Sequence, residues 1–414
     1  MPAVIPHIID QHAEEAAFLW LLRSNAIKAP HYDLNDLAKL DDRIEAHLDG
    51  LRIAGDYGWQ ACSENLKFEE SGEVFAATII ALEAQSLERI NLVFNVIEAA
   101  PGAINGLISA FGWVDAHHLQ GKVFELLESN NPLWRRIGLS ACAIHRVDPS
   151  QFLDAATQDE DMLLRLRALK AVGELGRVDL KPVLLEQLNH ENSQVRFWAA
   201  WSAVLTGDRG WALELLRQEI ESNSEFCIPA MHLALPVLGN QAIKKTLKVL
   251  ADDKASLRLA IIGAGISGDP IYIPWLIQQM STPEIAKVAG EAFSYLCGVD
   301  LAYQDMETDL PDSVSVGPTE NPDDEDVAMD PDEDLPCPGP ALVQVWWQEN
   351  MQNFKSDIRY IYGKPCNEPQ CKWLLINGSQ KLRYAASLNL ALIHPEQVLF
   401  EVRAVGKRQQ RALM

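Results

Sequence analysis

The feature that most constrains this chain is a phrase it writes more than once. "RALKAVGELGRVD", Arg167–Asp179, echoes "RIGLSACAIHRVD", Arg136–Asp148. "RFWAAWSAVLTGD", Arg196–Asp208, follows without a gap, and "RLAIIGAGISGD", Arg258–Asp269, follows with one residue missing. "KVAGEAFSYLCGVD", Lys287–Asp300, carries one extra residue, and "RYAASLNLALIHP", Arg383–Pro395, is a weaker copy. Recurrence at about 30 residues with helical periodicity predicts stacked helical hairpins, because one hairpin cannot bury its apolar stripe alone. An elongated stack also accommodates 414 residues, more than one compact core usually holds.

Each unit has a readable physical logic. After the Arg comes a helix with small residues at helical spacing, such as Ala168 and Ala171, or Ala199, Ala200 and Ala203, which let a neighbouring helix approach. Gly176, Gly207 and Gly268 suit a helix end that needs a left-handed cap. "DLKP", 179–182, then opens the next helix with an acidic cap and a first-turn Pro.

This pattern resembles HEAT-type repeats, especially the short ones also seen in phycobilin lyases. The resemblance covers roughly residues 70–300 and implies an all-α solenoid. It implies that Arg136, Arg167, Arg196 and Arg258 are structural ladder residues, each pairing with an Asp of a neighbouring unit. The wording "EEAAFLWLLR … APHYDL … LDDRIEAHLDGLRIAGD" is similar to a proteobacterial HEAT-repeat family whose members are often encoded near type VI secretion components.

The expected organisation has four parts. Residues 1–65 form a helical N-terminal cap, since terminal units must cover exposed core. Residues 66–300 form the repeats. Residues 301–340 form an acidic, Pro-rich disordered insertion, and 341–414 hold C-terminal helices that continue or cap the stack. Residues 305–334 contain 13 acids and no Lys or Arg, more than half of the net charge of −23. Such text buries too little apolar surface to offset its ordering entropy.

The acidic balance disfavours nucleic acid, which needs clustered Lys and Arg. No apolar run is long enough to span a membrane. The N-terminus lacks the basic start of an export signal, so a cytoplasmic protein is expected. The seven cysteines, with no CxxC pair, do not read as a disulfide framework. "GAGISG", 263–268, matches a dinucleotide-binding pattern but falls in repeat register without the required strand–turn–helix context. His12, with Glu15 one turn on, and Cys366 with Cys371, Cys337 and His394 are the metal candidates. Neither reaches a recognised ligand pattern, so no metal or cofactor is expected. No nucleophile motif appears, so no catalytic residue is expected.

The local feature most suggestive of recognition is "VRFWAAWSAV". In this reading Val195, Ala199, Ala200 and Ala203 face the core. Phe197, Trp198 and Trp201 take variable positions held by Ala168, Leu169 and Val172 one unit earlier. They either pack between helices or form an aromatic anchor on the surface. The expected function is non-enzymatic protein binding. The family resemblance implies a type VI secretion accessory, either an effector adaptor or an immunity protein against a toxin. The alternative is an enzyme or a chromophore-like small-molecule binder on the same scaffold.

Overall fold

The computed structural model describes residues 5–309 and 330–414. The described chain is almost wholly α-helical, with one two-stranded antiparallel ribbon, Tyr360–Ile361 against Lys364–Pro365. It divides into two compact units. The first comprises Met1–Val183, Ile376–Lys381 and Glu396–Met414; the second comprises Leu184–Leu375 and Leu382–Pro395. Among the described residues no single helix is long and apolar enough to cross a membrane.

The first unit is organised around the Ser71–Glu83 helix, buried at Gly72 and from Val74 to Leu82. Two glycines set how closely its neighbours approach. A Cβ on Gly106 would lie 1.9 Å from the Ser71 carbonyl oxygen, and one on Gly72 would lie 2.5 Å from that of Ala17. The Pro6–Ala26 and Leu34–Ala54 helices pack together at the N-terminus. Asp33 caps the second by accepting the Asn35 and Asp36 N–H groups.

Three repeat helices follow one local plan. Asn131, Asp161 and Asn192 cap the Pro132–His145, Met162–Glu174 and Ser193–Leu205 helices, each accepting an N–H of the first turn. Four residues on stand Arg135, Arg165 and Arg196. Arg135 donates to the Ser129 and Asn130 carbonyls, Arg165 to those of Asp159 and Gln158, and Arg196 to those of His190 and Glu191. Each guanidinium thus clamps the turn before its own helix. The three helices end on left-handed residues at Arg146, Gly176 and Gly207.

This register corrects the ladder read from sequence. Arg196 holds a clamp position, but Arg136 and Arg167 lie one and two residues beyond theirs. The pairing with an Asp of the neighbouring hairpin is made by Arg135, to Asp159 at 2.8 Å. Arg136 instead buries an Nε that makes no hydrogen bond, and burial lowers its pKa against the pull of Asp161. Arg167 reaches Ser140 and Glu174, and Arg258 binds Asp332 through both terminal nitrogens, at 2.6 and 2.5 Å. The repeated Arg-Val-Asp misled the alignment because Arg146 itself takes the left-handed cap that Gly176 takes one unit later.

In the second unit, "GAGISG" is the end of the Leu257–Ser267 helix. Gly263 and Gly265 face Leu247 and Ala292 at distances a Cβ would close, and Gly268 is the left-handed cap. The flanks of the acidic insertion depart from the expectation of disorder. Glu307 and Pro338 form a bridge, Asp330 pairs with Lys287 at 2.8 Å, and Asp332 is buried against Arg258. Two basic groups on repeat helices thus give these acids a reason to order. Residues 310–329 lie outside the described residues.

In each unit a later segment seals helix C-termini, whose last carbonyls lack intrahelical partners. In the first, the Leu399 N–H donates to the Glu174 carbonyl, and Arg146 Nε donates to the Leu399 carbonyl at 2.6 Å. Arg408 donates to the carbonyls of Gly112, Trp113 and Val114. In the second, N–H groups of Tyr360, Tyr362 and Gly363 donate to the carbonyls of Gly268, Tyr295 and Leu296.

Candidate functional site

The first unit encloses an open cavity of about 980 Å³. Five helices each present one face to it, at positions one turn apart. Pro6–Ala26 gives Glu14, Phe18, Leu21 and Asn25; Ser71–Glu83 gives its first turn. Ile104–Trp113 gives Asn105, Ile108 and Gly112, and Pro132–His145 gives Ser140 and Ile144. Met162–Glu174 gives Arg167, Lys170 and Glu174, and the chain returns at Glu401 and Arg403–Val405. This spacing is the one that places side chains on a single helix face.

The mouth is apolar. Phe18, Leu21 and Phe68 are more than half exposed there, unusual for large apolar side chains clustered together. The floor is charged. Arg167 pairs with Glu174 at 2.8 Å, Arg146 with Glu401 at 3.2 Å, and Arg403 with Glu401 at 2.9 Å. Both carboxylates are buried, Glu174 at 3 % exposure and Glu401 at 8 %. Burial pushes each carboxyl up, but the cations outweigh it. Arg167, Lys170, Arg146 and Arg403 hold Glu174 below the usual carboxylate range, and Arg403 and Arg146 hold Glu401 far below it. Burial pulls the Lys170 ammonium down to about 8; Glu174 opposes the shift, and Arg403 and Arg167 add to it. The floor therefore holds four cationic groups against two carboxylates.

A second buried pair anchors the segment that completes the floor. Arg23 Nε donates to Asp41 at 2.5 Å, and Arg23 Nη2 donates to the carbonyls of Arg403 and Ala404, each at 3.1 Å. Asp41 also accepts the Gly406 N–H at 2.6 Å.

Comparison with known families supplies one match: residues 149–226 fit the model for HEAT repeats. Residues 149–226 are therefore similar to HEAT repeats. The chain's fold class is an all-α solenoid, as the repeat spacing predicts. No curated protein and no solved structure matches it significantly.

Within the HEAT register, Arg167, Lys170 and Glu174 occupy the positions that Ile137, Ser140 and Ile144 hold one repeat earlier and Trp198, Trp201 and Leu205 one repeat later. The aromatic anchor itself is corrected. Phe197 is 1 % exposed and Trp201 3 %, so neither offers a surface to a partner. Phe197 stacks on Phe226 with centroids 4.1 Å apart, and half-buried Trp198 packs edge-on against Trp201 at 5.7 Å. Phe197 and Trp201 fill the second unit's core.

The other sequence candidates lie apart from the cavity. His12 and His47 meet through Nδ1 atoms 3.1 Å apart. Cys366 lies beside Cys371, and a hydrogen bond from Cys371 draws the Cys366 thiol down to about 7 against burial, with help from Arg359. His394 lies 2.9 Å from Glu368. Among the described residues, no three His, Cys, Asp or Glu side chains gather as a metal site would need. Sequence reading missed Lys170, Glu174, Glu401 and Arg403. The available signal was three charged residues, 167, 170 and 174, on one face of a helix otherwise rich in Ala and Leu.

Proposed function

We propose that this chain is a non-enzymatic, protein-binding HEAT solenoid, and that the cavity of its first unit receives a segment of another protein. The observation that carries this is the cavity's construction. It is too large for one side chain, it is lined by successive repeat helices, and it combines an exposed apolar mouth with a charged floor. Repeat stacks use such aligned helix faces as extended binding surfaces. Apolar anchors surrounded by polar groups are the usual anatomy of a recognition site.

The biological setting comes from the resemblance of the N-terminal wording to a family encoded near type VI secretion components. On that reading the protein is a cytoplasmic accessory, and its partner is a secreted effector it loads or a toxin it blocks. Both roles require a tight one-to-one complex with a protein encoded nearby.

The test is affinity purification of tagged chain from its native host with mass spectrometry, in parallel with Phe18→Asp and Leu21→Asp variants. Both residues are exposed, so circular dichroism should show the variants folded. One dominant partner, lost in the variants, supports the reading. A partner retained by both moves the site elsewhere, and no partner at all sinks the adaptor and immunity roles.

A further inference from the structure

We infer that the floor of this cavity is a receptor for a single carboxylate, an Asp or Glu side chain carried by an otherwise apolar segment of the partner protein. The inference rests on the protein-binding reading above and adds the chemistry the bound segment must have.

Three observations converge. The first is charge. Arg146, Arg167, Lys170 and Arg403 all act on buried Glu174, and Arg146 and Arg403 also pair with buried Glu401. A chain with net charge −23 thus gathers four cations around two buried carboxylates. Packing cations together away from water is costly unless an anion completes the set. The second is hydrogen bonding. Arg167 Nη1 and Glu174 Oε2 are both shielded from water and make no hydrogen bond, although they lie 2.8 Å apart as an ion pair. Arg167 and Glu174 are therefore held by charge and not by an aligned hydrogen bond, and an entering carboxylate can compete for that guanidinium. The third is access. Lys170 and Arg403 line the cavity, and the Arg403 side chain is 49 % exposed. Arg167 lines the same cavity, so an entering carboxylate can reach all three.

The rim limits what can enter. Glu14, Glu70 and Glu73 line the same cavity, with Arg23 and Lys28 on its basic side. The charges that act most on Lys170 are Glu174, Arg403, Arg167 and Glu401, not the rim glutamates. They repel a polyanion such as nucleic acid while leaving room for one acid on an apolar carrier. Phe18, Leu21 and Phe68 supply the seat for that carrier.

The experiment uses random dodecapeptides displayed on phage, panned against the full-length protein. The winning sequence is then synthesised with blocked termini, so that only side-chain carboxylates remain. Enrichment of one Asp or Glu among apolar residues is expected. Binding should fall at least tenfold when that residue becomes Gln or Asn. It should fall similarly in Lys170→Met, and in Arg403→Gln should Lys170→Met fail to fold. Affinity should also drop several-fold between pH 7 and pH 9, as Lys170 loses its proton. Peptides without an acid, equal binding of the amide peptide, or no enriched peptide would each overturn the carboxylate floor. If a native partner is nonetheless captured and lost with Phe18→Asp, the groove stands and only its proposed chemistry falls.

Discussion

Asp41→Ala should be among the most damaging single changes in the first unit. Asp41 is 1 % exposed and Arg23 8 %. The substitution removes the acceptor for Arg23 Nε, at 2.5 Å, and for the Gly406 N–H, at 2.6 Å, and leaves a guanidinium buried without its counter-ion. Breaking a buried pair from one side costs about 3–5 kcal/mol, because the surviving charge stays desolvated. Arg23→Met should cost a similar amount, since it strands Asp41 and frees the carbonyls of Arg403 and Ala404. The double change removes both charges at once. It should recover roughly 2 kcal/mol of the summed single costs, and not all of them, because the Arg403 carbonyl and the Gly406 N–H lose their partners while Ala404 keeps Gln409. A chain of two units need not unfold in one step. The assay is therefore urea unfolding of the first transition, joined to hydrogen exchange at residues 403–406. Those amides should lose protection in both single variants before the repeat helices do. A cost below about 1 kcal/mol for Asp41→Ala, or strictly additive variants, would refute the view that this pair ties the returning segment to the N-terminal helices.

Four further outcomes are expected. Arg135→Met should cost about 1–2 kcal/mol by calorimetry, through two carbonyl bonds and a half-buried pair with Asp159, whereas Arg136→Met should be nearly neutral since its buried Nε has no partner. Equal effects would put the repeat register back where the sequence alignment had it. Stability of the first unit should decline as pH falls below about 4.5, because Glu174 and Glu401 ionise more readily folded than unfolded. Glu401→Gln should flatten that decline in a pH series of urea midpoints. On the alkaline side Lys170 is depressed to about 8, so the unfolded chain holds its proton longer. The wild type should then gain on Lys170→Met between about pH 8 and pH 10. Gly268→Ala should destabilise the second unit by more than about 1 kcal/mol, since φ is +69° and a Cβ would lie 2.4 Å from the Tyr360 oxygen; an unchanged melting temperature would contradict this.

The stack was legible because periodicity is a local property. Small residues, apolar stripes, Asp or Asn caps and a cap glycine recur about every 30 residues, and each reflects a packing demand that the chain repeats. The register was harder to read. Arg146-Val147-Asp148 and Arg177-Val178-Asp179 match as text, yet the helices end on Arg146 and Gly176. A left-handed Arg is not a signal a reader expects at a glycine position. The tryptophans of "VRFWAAWSAV" could not be placed by pattern, because whether a variable position is buried depends on segments distant in the chain. The cavity was illegible for the same reason. Three of its charges sit on one helix, but their meaning depends on Glu401 and Arg403, and nothing local joins residue 174 to residue 401. The acidic flanks ordered against expectation because composition carries no information about Lys287 and Arg258 waiting opposite.

The seal over the first unit's helix ends has a consequence in time. Arg146 and the Leu399 carbonyl it binds are 253 residues apart, and Arg23 and Ala404 are 381 apart. A ribosome delivers the first 183 residues long before it delivers their lid. In that interval the N-terminal helices hold an unfinished floor, with Arg23 and Asp41 lacking the backbone that joins them. Closing loops of this length is slow relative to local helix packing. The receptor should therefore be among the last parts of the molecule to mature. A nascent chain, or one clipped before residue 399, should keep its helices while lacking the pocket, and translation would then serve as a clock that withholds binding until residues 399–406 have emerged.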